Sequence, residues 1–183
     1  MEAQVKAGRF AWAGASLAAV AFLVVMAVSG ALPQQRQLVK FEAKGLMSQA
    51  PERITRVEID KAGKTVAFVR SGGNWLREGG GPLPQAAADK LSMAVQVMHT
   101  SGPVRVMAPE EYRGTDPREF GLAPPQLSIR LYEGNAPALH AAFGNLNPEK
   151  FLQYMAVEGR PQLYLMSLFV GEFWAAVAEG AGK

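Results

Sequence analysis

The chain has 183 residues, a hydrophobic fraction of 49% and no cysteine, so disulfides, thiolate chemistry, cysteine-ligated clusters and c-type haem attachment are excluded. Nineteen Lys and Arg against sixteen Asp and Glu leave a net charge of +3, with no basic run interleaved with aromatics. That balance predicts no nucleic-acid partner.

Residues 10–32, FAWAGASLAAVAFLVVMAVSGAL, form one uninterrupted uncharged stretch behind a short tail, residues 1–9. A helix over it reaches roughly 34 Å at ~1.5 Å per residue, enough to cross a hydrocarbon core of ~30 Å. The expectation is a single transmembrane helix. A cleaved secretory signal is the competing reading, with Ser29-Gly30-Ala31 as a small-residue cleavage site, but its apolar core is normally only ~7–15 residues. Lys6 and Arg9 precede the stretch while Arg36, Lys40 and Lys44 follow it, so the positive-inside count does not choose an orientation. The short basic tail ahead of a long following chain favours N-in. That places the remainder on the periplasmic side of a bacterial inner membrane.

Residues 33–53 read as a juxtamembrane connector, in which Leu38, Val39 and Phe41 either rest at the membrane interface or begin a strand. Residues 54–183 then read as one α+β domain. Ile54–Ile59, Thr65–Arg70 and Trp75-Leu76, separated by Lys61–Lys64 and Ser71–Asn74, make a first antiparallel meander. Gly79-Gly80-Gly81-Pro82 breaks it. A helix is predicted over Gln85–His99, where Ala87, Leu91, Ala94, Val95 and Met98 recur on one face before Gly102-Pro103.

Val104–Met107 reads as a short strand. Asp116, Pro117, Glu119 and Gly121 carry helix-start and helix-stop signals in close succession. Leu127–Glu133 alternates with Leu127, Ile129 and Leu131 inward. Ala138–Phe143, Phe151–Val157 and Gln162–Met166 complete a second meander. Leu168–Ala178 finishes as a helix with Phe169, Val170, Phe173, Trp174 and Val177 on one side. The fold class is therefore α+β, two antiparallel meanders with a central and a C-terminal helix.

The order of features from Val57 to Leu165 carries a resemblance. Its elements are Val57-x-Ile59, Phe68-Val69-Arg70 with Trp75-Leu76, Pro84 with Ala88-Asp89, and Phe120-Gly121-Leu122-x-x-Pro125. Then come the Leu127–Leu131 strand, Phe143-Gly144, Tyr154 and Leu163-Tyr164-Leu165. In that order they resemble a bacterial family of membrane-anchored extracytoplasmic domains of unknown function, often encoded beside gliding-type ABC-transporter genes or occurring as accessory proteins. Asn145–Gln153 departs from the pattern, since such proteins often have a glycine-rich turn there. The resemblance implies an architecture and an accessory role, and no catalytic residues.

The chemistry-bearing residues are sparse. Metal or acid–base work needs clustered His, Asp or Glu, yet only His99 and His140 are present, neither with a carboxylate or second histidine at ligand spacing. Glu110, Glu111, Arg113, Asp116, Arg118 and Glu119 form a charged cluster that reads as a solvated turn. Gly72-Gly73 and Gly79–Gly81 lack the Lys-Ser/Thr ending of a phosphate loop, and no serine has a matching histidine motif. No catalytic, cofactor or metal residue is assigned.

Two interaction surfaces stand out instead. Ala11, Ala15 and Ala19, with Gly14 and Ala18 alongside, form a small-residue face in the apolar stretch of the kind that lets helices approach closely in lipid. Tyr154 and Tyr164, expected on one face of adjacent strands, together with Phe169, Phe173 and Trp174, read either as core under a helix or as an interface anchor. The expected partners are other inner-membrane subunits and the lipid bilayer. The functional expectation is a non-catalytic accessory or assembly subunit of a respiratory, photosynthetic or transport complex; the alternative is a substrate-facing module of an ABC export system.

Overall fold

The computed structural model describes residues 18–25 and 45–180, in two units that meet between Phe41 and Glu42. In the first unit, residues 18–25 are helical (α1) and every one is exposed, including Phe22, Leu23, Val24 and Val25. The rest of the expected span 10–32 lies outside the described residues, as does the connector as far as Lys44. Among the described residues no helix is long and apolar enough to cross a membrane.

The second unit is α+β, and its strands form a single eight-stranded antiparallel sheet rather than two separate meanders. The strands are β1 (Arg56–Lys61), β2 (Lys64–Ser71), β3 (Asn74–Arg77), β4 (Arg105–Met107), β5 (Leu127–Glu133), β6 (Ala136–Leu146), β7 (Leu152–Val157) and β8 (Leu163–Ser167). They lie in the order β3-β2-β1-β5-β6-β7-β8-β4. β1 makes the join: Val57 pairs with Phe68 of β2 on one side and with Leu131 of β5 on the other. Because side chains alternate with a period of two, this register puts Val57, Ile59, Phe68, Leu127, Ile129 and Leu131 on one face, all buried. Ala141, Phe143 and Met155 continue that face across β6 and β7.

Helices α2 (Gln85–Thr100) and α3 (Leu168–Gly180) cover this face. The apolar stripe of α2 buries Leu91, Ala94, Val95 and Met98, as its spacing predicts, and α3 buries Val170, Gly171, Trp174 and Val177. Trp75 of β3 donates from its indole Nε1 to Ser92 Oγ in the middle of α2 at 3.0 Å, tying the helix to the sheet.

The segment 45–53, expected as connector, is built into the domain. Leu46 and Met47 are buried in the core cluster. The N–H groups of Gly45 and Met47 donate to the carbonyls of His99 and Met98 at the end of α2, each at 3.0 Å. These are orphan carbonyls of a helix C-terminus, so the segment caps the helix as it docks. A side chain at position 45 would stand 2.2 Å from the His99 backbone, which only glycine avoids. Arg160 donates to the Leu46 carbonyl at 2.8 Å, and Arg70 donates to the carbonyls of Pro51 and Glu52 while lying over the Trp75 ring.

On the opposite face the chain between β4 and β5 folds over β6 and β7. Residues 116–121, which carry the helix-start and helix-stop signals, form successive turns with N–H groups of Glu119 and Gly121 donating to carbonyls of Asp116 and Arg118. Gly121 ends them at φ 70°, where the backbone departs from helical geometry. Phe120 is thereby driven against the sheet, with its ring 4.9 Å from that of Tyr154 and 6.0 Å from that of Tyr112. The contact is tight. Asn145 N–H donates to the Phe120 carbonyl at 2.7 Å, and a Cβ on Gly144 would lie 2.0 Å from that same oxygen. Leu163, Tyr164, Leu165 and Met166 of β8 are all buried, on both faces of the strand.

Candidate functional site

The residues expected to bind a partner separate into distinct places. Tyr154 pairs with Leu165 while Tyr164 pairs with Met155, so the two tyrosines lie on opposite faces of the sheet, not on one. Tyr164 belongs to the helix-covered core, and Tyr154 packs on Phe120. Trp174 is fully buried in the same core as Tyr164. Phe169 is exposed and Phe173 half-buried, their rings in an edge-to-face contact at 6.4 Å. In the first unit, Ala18 and Ala19 are exposed on α1; Ala11, Gly14 and Ala15 lie outside the described residues.

Around Phe169 the structure assembles an apolar corner. β4 forms one edge of the sheet and pairs only with β8 among the described strands, and α3 leaves directly from the end of β8. Val104 N–H donates to the Leu165 carbonyl at 2.9 Å, which brings the start of the edge strand beside the start of α3. Val104 is 61% exposed, Val106 48% and Phe169 44%. Val104 and Val106 lie at the edge strand and Phe169 in the first turn of α3, three exposed apolar side chains. The sequence pattern pointed to Phe169 and Phe173 and missed Val104 and Val106. Val104 and Val106 alternate with Arg105, a pattern that gives one apolar side without saying whether anything covers it.

The open face of the sheet carries charge. In one register row Glu58 of β1 stands opposite Arg130 of β5, which stands opposite His140 of β6, and Glu158 N–H donates to the His140 carbonyl. Arg56 forks to Glu58 and Glu78 at 2.8 and 2.7 Å, while Arg130 and the Tyr132 hydroxyl donate to the other Glu58 oxygen. The Arg56 guanidinium is held further toward its charged form by the hydrogen bond to Glu58.

His140 Nδ1 pairs with the Glu158 carboxylate, a partner that sequence spacing did not reveal because β6 and β7 bring it in across the hairpin. The hydrogen bond and charge of His140, with Arg130 behind it, hold the Glu158 carboxyl below its ordinary range. His99 is structural: Nδ1 lies 3.1 Å from the Met47 carbonyl, which can only accept, so that nitrogen carries the proton.

The charged cluster of residues 110–119 closes on itself. Glu111 accepts from Ala108 N–H at 2.8 Å and pairs with Arg105, and Asp116 accepts from Arg118 N–H at 2.9 Å and from its guanidinium. Both carboxyls are lowered, in each case chiefly by the backbone hydrogen bond. Among the described residues no three His, Asp or Glu side chains converge as metal ligands would.

A third feature lies on the helical side. An apolar cleft of about 230 Å³ opens between the N-terminal turn of α2 and the C-terminal turn of α3. Phe68 and Leu83 line it together with Ala87, Ala176 and Val177, and among the described residues Lys90 is the one ionisable lining residue. No family model, curated protein or solved structure matches the chain.

Proposed function

We propose that the chain is a non-catalytic accessory or assembly subunit of a larger bacterial inner-membrane complex, held N-in by the apolar stretch 10–32 with its α+β domain in the periplasm. The observation that carries this reading is the apolar corner of Val104, Val106 and Phe169 at an unpaired sheet edge, in a chain that also carries a sequence stretch long enough to span a bilayer. The motif order from Val57 to Leu165 supports the same role by its resemblance to membrane-anchored accessory domains. The self-paired charges on the open face and around residues 110–119 are those of solvated surfaces rather than of a reaction site.

The test is purification of the tagged full chain from its native membrane in mild detergent, comparing the wild type with Val104→Lys and Phe169→Lys. Subunits that co-migrate at fixed stoichiometry with the wild type and are lost from both variants are the expected result. A reporter active only in the periplasm, fused to Lys183, should be active. Purification of the wild type free of any stoichiometric subunit would overturn the accessory role.

The alternative, a substrate-facing module of an ABC export system, is favoured by one observation, the apolar cleft between α2 and α3.

A further inference from the structure

We infer that the cleft between α2 and α3 is a binding site for a single-chain carboxylate amphiphile, a medium-chain fatty acid, whose tail enters the cleft and whose headgroup meets Lys90. The inference goes beyond the accessory role and stands whether or not that role holds.

The sequence builds the space from both sides. α2 begins at Gln85 behind Pro84, so its first turn presents Ala86 and Ala87 in place of bulky side chains. The last turns of α3 likewise present Ala176 and Gly180. Large side chains form the floor, where Phe68 and Val177 are buried, and small ones form the walls. Closely packed interiors seldom leave such a gap. At about 230 Å³ the cleft lies below the ~300–1,000 Å³ of sites for drug-sized ligands, which suits a small apolar group such as a short hydrocarbon chain.

Charge selects the headgroup. Lys90 is exposed at the cleft and makes no ion pair or hydrogen bond among the described residues. Among the described residues no acidic one lines the space. The two nearest acids in sequence are engaged elsewhere: Asp89 accepts from Gln85 at 2.8 Å, and Glu179 pairs with Lys61. An apolar trough with one uncommitted cation at its side complements an anion on an apolar tail, and opposes an amine on the same tail.

The experiment uses the full chain, alanine-methyl labelled and held in amphipol, titrated with hexanoate, octanoate and decanoate while the Ala86, Ala87 and Ala176 methyl signals are followed by NMR. Burial of each further methylene at ~0.8 kcal/mol tightens Kd about fourfold until the cleft is full. The expected result is saturable shifts at these three alanines, affinity rising with chain length, and binding by decylamine at least tenfold weaker than by decanoate. Lys90→Gln should weaken decanoate several-fold and erase the preference over the amine. Ala87→Phe should abolish the shifts by filling the cleft, and because Lys90→Gln alters only an exposed side chain, the test survives if Ala87→Phe fails to fold. Absence of saturation at millimolar decanoate would overturn the proposal. So would equal binding of decylamine, which marks a merely greasy surface, or decanoate binding unchanged in Lys90→Gln.

Discussion

Single residues in this domain are constrained most where backbones touch. Gly144 is the sharpest case, because the Phe120 carbonyl occupies the space a side chain would need. Gly144→Ala must push the 116–125 turns off the sheet, loosening the ring contacts among Tyr112, Phe120 and Tyr154. Overpacking of this kind costs about 1–3 kcal/mol. Denaturant unfolding followed by tryptophan fluorescence should show a lower midpoint with an unchanged slope; an unchanged midpoint would show that the contact yields freely. Ionisable residues set a second expectation. Glu158, Asp116 and Glu111 each have a folded-state carboxyl below its ordinary value. Between the folded and unfolded values the unfolded chain binds more protons, so stability rises with pH there. Their contribution is complete above the ordinary carboxylate range, near 4. It is lost as pH falls through the lowered folded-state values. The unfolding midpoint should therefore fall between pH 5 and 2, and fall less steeply in Glu158→Gln. An equally steep fall in that variant would show that the pair with His140 does not contribute.

At the scale of elements, periodicity made most of the domain legible. Alternation in Leu127–Leu131 and the three- and four-residue spacing of Leu91, Ala94, Val95 and Met98 each gave an element and its buried side, because burial on one face writes a regular pattern into a strand or helix. Pairing between distant elements left no such trace. The in-register union of β1 with β5, which turns two meanders into one sheet, rests on residues 66 to 76 positions apart with the same alternating pattern as any other pair. The opposite faces of Tyr154 and Tyr164 follow from a one-residue register difference that composition cannot express. Residues 45–53 were missed because they dock through backbone carbonyls, held by His99, Arg160 and Arg70, rather than through an apolar period. For the candidate surfaces, Trp174 and Phe169 share a helix and a hydrophobic character, yet only the direction of α3 across the sheet decides which is core. Trp174→Ala should accordingly cost about 3–5 kcal/mol. Phe169→Lys, at an exposed position, should stay within about 0.5 kcal/mol of the wild type. Comparable losses in the two variants would remove Phe169 from the surface and with it the apolar corner.

For the whole molecule, the proposed role divides attachment between the apolar stretch and the domain, and the two contributions obey different physics. In water, the corner of Val104, Val106 and Phe169 gains by removing apolar area from solvent. Within lipid that gain vanishes, since the tails are as apolar as any side chain, and association depends on how closely helices approach. In the proposed helix Ala11, Ala15 and Ala19 would share a face that suits close approach, whereas Phe22 to Val25 would present bulk. Replacing Ala15 and Ala19 together by Leu keeps the stretch apolar and so preserves insertion, but holds a partner helix away. The double variant should reach the membrane in normal amount and lose its co-migrating subunits in mild detergent, while Val24→Leu with Val25→Leu should retain them. Retention of the Ala15/Ala19 variant at wild-type stoichiometry would make the stretch a generic anchor. Attachment would then rest on the domain, and the lysine substitutions at Val104 and Phe169 would have to account for all of it.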